Sequence, residues 1–211
     1  MQPSKLGVVI LAAGASRRMG QPKLLLPWGK TSILGHLLQQ WNRLGASQIA
    51  VVCAADNKPL ATELNRLGFP ASNRIVNPAP DNGMFSSIQC AANWPGWNPA
   101  FTHWIITLGD QPHLHDTTLR TLLDFSALHP DNICQPMRGD RRKHPVLLPG
   151  QFFDELKNTS AADLKIFLAE HAEQSSGFDS DDAGLDIDID TPEDYERALA
   201  ISFSGGRAAT G

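Results

Sequence analysis

The sequence predicts an α/β fold: a single three-layer domain whose mostly parallel, twisted sheet carries helices on both faces. Three observations lead there. Short apolar runs alternate along the chain with segments of helical periodicity. The first of these runs, with Val8, Val9 and Ile10 at its centre, has the β-branched character of a strand covered on both sides. A chain of 211 residues can bury one sizeable core but is short for two.

Taken in order, Gly7–Ala12 reads as a buried strand. Ser32–Leu44 is an amphipathic helix with Ile33, Leu34, Leu37, Leu38 and Trp41 at helical spacing. Gln48–Cys53 is the next strand, Lys58–Leu67 a helix ended by Gly68, and Arg74–Val76 a short strand. Ser86–Ala92 reads as a helix, Trp104–Leu108 as a buried strand and Thr117–Leu128 as a helix. Ile133–Pro136 and Pro145–Leu148 read as strands around a basic turn, Arg138–Lys143. Phe152–Leu156 and Ala161–His171 are helical, Leu185–Ile189 a strand and Pro192–Ile201 the last helix. One domain is therefore expected over residues 1–203, with a polar, disordered tail at 204–211.

The composition excludes several function classes. A net charge of -4 argues against a nucleic-acid binder, which needs a basic face for phosphates. No apolar stretch reaches membrane-spanning length. Lys5 and the run Leu6–Ala15 could pass for a short signal peptide, but Arg17 and Arg18 follow at once and the run reads better as a strand. Cys53, Cys90 and Cys134 are odd in number and widely spaced, so they imply neither a disulfide framework nor a zinc site. They read as reduced structural cysteines of a cytoplasmic protein.

The loop after the first strand is the first candidate site. In open parallel sheets, ligands bind at the carboxyl ends of strands. Small residues at Ala12–Ala15 let backbone N–H groups approach a bound phosphate, and Arg18 and Lys23 add positive charge. A dinucleotide fingerprint fails because position 16 is Ser. A Walker loop ending in Gly29-Lys30-Thr31 fails because its first glycine falls on Leu24. Gly29-Lys30 instead reads as a tight turn, with Thr31 or Ser32 capping the helix behind it.

Two acidic segments follow. Gly109-Asp110-Gln111-Pro112 ends a buried strand, which puts a hard oxygen ligand on the ligand side of the sheet; taken alone, it is also a common turn. In Leu185–Asp190, strand alternation sets Leu185, Ile187 and Ile189 on one face and Asp186, Asp188 and Asp190 on the other, with a helix start at Thr191-Pro192. A calcium loop beginning at Asp179 fails at Ala183, Asp186 and Asp190. His113 and His115 flank Leu114 in a loop and are expected to be solvated rather than ligands.

Leu11-Ala12-Ala13-Gly14, Arg18-Met19-Gly20 and Lys23, with Asp110-Gln111-Pro112 and the Asp188–Asp194 run, resemble the molybdenum cofactor nucleotidyltransferase family, the MobA-like NTP transferases. The likeness is nearest to the cytidylyltransferase branch and runs from residue 6 to about 200. It implies a Rossmann-like nucleotidyltransferase fold and transfer of CMP from CTP to the terminal phosphate of molybdopterin, with pyrophosphate released. By this resemblance Leu11, Ala12, Ala13, Gly14, Lys23, Gly83 and Ser87 bind the nucleotide. Arg18, Lys23 and Asp110 do the catalytic work, and Mg2+ sits on Asp110 and Asp190 with Asp188 beside it. His144 and Pro145 line the acceptor pocket, where Lys143 replaces the glycine usual before that histidine. The guanylyl branch carries Leu-Ala-Gly-Gly in the first loop, so Ala13 favours CTP over GTP. A molybdoenzyme is the implied downstream partner.

Overall fold

The computed structural model describes residues 5–203; the expected tail at 204–211 lies outside the described residues. The first strand, β1 (Leu6–Leu11), is the organising element. Val8 and Ile10 point into one core and Val9 into the other, all fully buried, so the apolar run serves both faces of a sheet. β1 pairs in parallel with β4 (Gln48–Ala54) and β6 (His103–Leu108), and β4 with β5 (Arg74–Asn77). Between β1 and β4 lie a two-stranded hairpin, β2 (Pro27–Trp28) with β3 (Thr31–Ser32), and the helix α1 (Ile33–Arg43). The hairpin turns at Gly29, whose φ of 59° is the left-handed value that favours glycine. Ser32 caps α1, accepting the Gly35 N–H at 3.0 Å, as its sequence position predicts.

The second half adds β7 (Ile133–Arg138), β8 (Arg141–Arg142), β9 (Val146–Pro149) and β10 (Ser175–Asp179). The sheet order is β10-β7-β9-β6-β1-β4-β5, with β8 paired onto β7. β9 is antiparallel to both neighbours, and every other strand on that path runs parallel to β1. Helices α1, α2 (Lys58–Arg66), α4 (Asp116–Leu128) and α7 (Pro192–Phe203) cover one face. Helices α3 (Met84–Ala92), α5 (Gly150–Glu155) and α6 (Leu164–Glu170) cover the other. The three-layer α/β reading holds. No helix among the described residues is long and apolar enough to cross a membrane.

Three sequence readings need correction. Leu185–Ile189 is not a strand: Ala183–Asp186 forms one turn of 3-10 helix and the chain then runs on irregularly. Its apolar alternation is real, since Leu185, Ile187 and Ile189 are buried, but that alternation anchors a loop to the core. The last strand is β10, Ser-Ser-Gly-Phe-Asp, whose polar composition hides a half-buried edge strand. Helix α3 starts at Met84, two residues before Ser86, because Gly83 (φ 88°) is the capping residue; Ser86 Oγ donates back to Gly83 O at 2.7 Å. His113 is not solvated; it is 1% exposed.

Candidate active site

β1 and β6 end level, with Leu11 opposite Leu108 on one side and Val52 of β4 on the other. The Ala12 N–H donates to Val52 O at 2.9 Å and the Gly109 N–H to Leu11 O at 3.1 Å, so the loops leaving β1 and β6 start side by side. Gly109 is required for that approach: a Cβ there would lie 2.6 Å from Leu11 O. The next residue is Asp110.

A cleft of about 320 Å³ opens at this end of the sheet. Leu11, Ala12, Ala13 and Gly14 form one wall, Gly83, Met84 and Ser87 the opposite wall, and Lys23 and Asp110 the mouth. All seven residues expected to bind the nucleotide line it. The structure adds Leu24 and Pro80, which carry no chemical signal in the sequence. Ser87 is buried and its hydroxyl accepts from Asn77 Nδ2 at 2.9 Å, which leaves its proton free to donate into the cleft. Asn77, at the end of β5, was missed by sequence reasoning; a polar residue closing an apolar strand was its signal.

Charge gathers at the mouth. Lys23 Nζ lies 2.6 Å from Asp110 Oδ2 and 3.1 Å from Asp190 Oδ1, and Arg18 Nη2 lies 2.6 Å from Asp190 Oδ2. Burial pulls the Lys23 pKa down, but Asp110 and Asp190 outweigh it and hold the amine above its ordinary value. Asp110 Oδ1 is buried with no hydrogen-bond partner among the described residues. Asp188 stands beside the pair and accepts from Gln111 Nε2 at 2.9 Å. Partial desolvation of its carboxylate and the negative charge of Asp110 raise its pKa against that hydrogen bond. Arg18, Lys23, Asp110, Asp188 and Asp190 thus come together across 172 residues of sequence separation. Among the described residues no set of three or more acidic, histidine or cysteine side chains forms a ready-made metal cage. Asp110 and Asp190 are the residues that could share a cation, with further ligands from outside the protein.

A second cavity, of about 880 Å³, begins at Met84, which borders both. Arg141, Arg142, Lys143 and Lys165 make its lining basic. His144 is on the wall and burial depresses its pKa, so it is neutral. Pro145 is buried behind the wall and is not part of the lining. Lys143 reaches Asp186 at 2.6 Å, and Arg138 reaches the same carboxylate at 3.1 Å. The residue that departs from the glycine pattern therefore ties the basic turn to the acid-bearing segment.

A cleft walled by small residues at the carboxyl ends of parallel strands, with cations and carboxylates at its mouth, defines an enzyme that handles a nucleotide through its phosphates. Residues 8–175 match the MobA-like NTP transferase domain, and the chain belongs to that family of nucleotidyltransferases. It is 26% identical over 199 residues to the molybdenum cofactor cytidylyltransferase of Escherichia coli (strain K12), covering 91% of this chain and 94% of that protein. It is 27% identical over 202 residues to the nicotine blue oxidoreductase of Paenarthrobacter nicotinovorans, covering 90% of this chain and 95% of that protein. The solved structure of a nucleotidyl transferase from Methanothermobacter thermautotroptrophicus shares the fold at a TM-score of 0.75, with 17% identity over 95% of this chain and 98% of its own.

Proposed function

We propose that the protein transfers CMP from CTP to the terminal phosphate of a molybdopterin-type acceptor, in a Mg2+-dependent reaction in the cytoplasm. The observation that carries this reading is the meeting of Lys23, Asp110 and Asp190 at the mouth of the Leu11–Gly14 cleft. Asp110, Asp188 and Asp190 stand there against the Lys23 ammonium and the Arg18 guanidinium, and one Asp110 oxygen is buried without a hydrogen-bond partner among the described residues, so the donor set is hard and short of positive charge. That fits Mg2+, which takes one or two carboxylates and completes its shell with phosphate oxygens and water. When bound, the ion supplies charge neutralisation at the phosphates.

The protein's own residues then position and neutralise. The cleft walls hold the nucleoside, with the Ser87 hydroxyl offered to the base and the Ala12–Gly14 backbone to the phosphates. Lys23 and Arg18 supply cations along the same loop. The basic second cavity presents an anionic acceptor from the Met84 side. An acceptor phosphate oxygen forms the new bond to the α-phosphorus as the α–β bridging P–O bond breaks, and that electron pair leaves with pyrophosphate. The nucleophile is already an anion, so no general base is needed. Neither His113 nor His144 lines the nucleotide cleft.

The Ala13 side chain on the cleft wall supports the smaller base. Initial rates of pyrophosphate release with molybdopterin and CTP or GTP test it: CTP is expected to dominate, and a kcat/KM for GTP equal to or above that for CTP overturns the base assignment. A guanylyltransferase, a sugar- or polyol-phosphate nucleotidyltransferase and a non-catalytic molybdopterin carrier serving a molybdoenzyme give distinguishable results when that assay is run with molybdopterin and, separately, with sugar and polyol phosphates as acceptor. The first prefers GTP, the second needs a different acceptor, and the third releases no pyrophosphate. A redox activity is the other reading, because the chain is 27% identical to the nicotine blue oxidoreductase and 26% identical to the cytidylyltransferase. The carboxylate pair favours phosphoryl chemistry, which needs an acid-bound cation.

A further inference from the structure

Asp190 is not on a strand, so something other than a sheet ladder must fix its position against Asp110. The chain from Asp182 to Asp190 is irregular apart from the Ala183–Asp186 turn. Contacts from the loop after β6 run along it. The Asp182 carboxylate accepts from the His115 N–H at 3.0 Å, Thr118 Oγ1 at 2.7 Å and the Gly184 N–H at 2.9 Å. Gln111 holds Asp188, and the Ile189 N–H donates to the Asp110 backbone carbonyl at 3.2 Å. Between these two ends sits His113, whose Nε2 lies 3.0 Å from Gly184 O and 3.1 Å from Ile187 O. Both partners are carbonyls, so Nε2 carries the proton and donates to both. Nδ1 is buried without a partner among the described residues and is unprotonated. The ring packs 6.5 Å from that of Trp28, which lies 6.3 Å from Tyr195 in the first turns of α7, immediately after Asp190. Gly184 completes the fit: a Cβ there would lie 2.8 Å from His113 Cδ2.

We propose that His113 is a positioning residue for the carboxylate pair. Its single N–H bridges the two carbonyls that frame the approach to Asp188, and it thereby sets Asp190 opposite Asp110. The proposal rests on the metal-dependent reading above. A purely structural histidine would affect melting; a positioning one changes cation binding at a site it does not touch. His113→Phe keeps a planar ring and removes the donor. His113→Gln keeps an amide N–H at the reach of Nε2.

The test is the affinity of Mn2+ for the full chain saturated with CTP in the absence of acceptor, read by water-proton relaxation, with thermal melting alongside. Loss of an outer hydrogen-bond partner costs about 10–100-fold in metal affinity. H113F is expected to weaken Mn2+ by that factor, and H113Q to remain within about threefold of wild type. If H113F fails to fold, Gly184→Ala carries the same expectation, because its Cβ would lie 2.8 Å from His113 Cδ2 and force the ring and the Gly184 carbonyl apart. Asp110→Ala is the control that separates the two readings. Mn2+ binding unchanged by D110A overturns the metal site itself. Binding lost in D110A but unchanged in folded H113F, or in G184A where it replaces it, overturns the role of His113. H113Q as weak as H113F overturns the hydrogen bond as the cause.

Discussion

Asp110 and Asp190 share one ammonium but are held there in different ways. Asp110 follows β6, and its backbone is fixed by the parallel ladder to β1 and by the Gly109 N–H bond to Leu11 O. Asp190 ends an irregular segment held by side-chain bonds, chiefly those of its own Asp182 to His115 N–H and Thr118 and those of Gln111 and His113 from the loop after β6. A ladder is made by the backbone and survives most substitutions. A set of side-chain bonds is lost one residue at a time. The comparison teaches that half of this site is as robust as the sheet and the other half is as fragile as a handful of buried polar contacts.

The sharpest break is at the acids themselves. Asp110→Ala should lower kcat by about 10³-fold or more with the fold intact, since it removes the buried half of the pair. Asp190→Ala should cost about 10²-fold, because Asp188 stands beside it. Circular dichroism with kcat at saturating Mg2+ checks both. Wild-type turnover in D110A would remove the metal assignment, and equal losses would erase the distinction between the two anchors.

The cations come next. Lys23→Ala should cost about 2–4 kcal/mol of transition-state stabilisation, read as kcat/KM. Arg18→Ala should cost less, about tenfold, because its side chain is 72% exposed and water screens its charge. Losses below about threefold in both mean that the loop does not hold the triphosphate.

The fragile half predicts a stability effect. Asp182→Ala removes the acceptor of three hydrogen bonds, two of them from backbone N–H groups, and leaves the Thr118 and Gly184 donors buried. The expected cost is about 2–4 kcal/mol in urea unfolding, with Asp190 function lost in parallel. Unchanged stability places the anchorage elsewhere.

The smallest effect is a pH slope. Burial lowers the pKa of His36, His113 and His144 below the ordinary 6.5. The unfolded chain therefore takes up these protons first as pH falls. Stability present above pH 6.5 declines as the pH drops below it toward the depressed folded values. A flat urea midpoint between pH 7 and 5 contradicts the lowered pKa values of these rings.

The same contrast explains what could be read from the sequence. The Leu11–Lys23 loop is legible because strand, small residues and cations follow one another along one short stretch, and Asp110 because it directly follows a buried strand. The partnership of Asp190 was legible only through family resemblance. Its local pattern suggested a strand, and the alternation of Leu185, Ile187 and Ile189 comes from packing a loop onto α1, α4 and α7. His113 was read as solvated because nothing in Gln111-Pro112-His113-Leu114 foretells carbonyls arriving from more than 70 residues away. β10 was missed because an edge strand need not be apolar.

The central claim is acid-held, metal-dependent nucleotidyl transfer at the mouth of the β1–β6 cleft. Its most direct test is the initial rate of pyrophosphate release from CTP by the wild-type chain, with and without molybdopterin and with and without Mg2+. Release is predicted only when CTP, acceptor and metal are all present. Release that persists without Mg2+, or none with all three present, would contradict it.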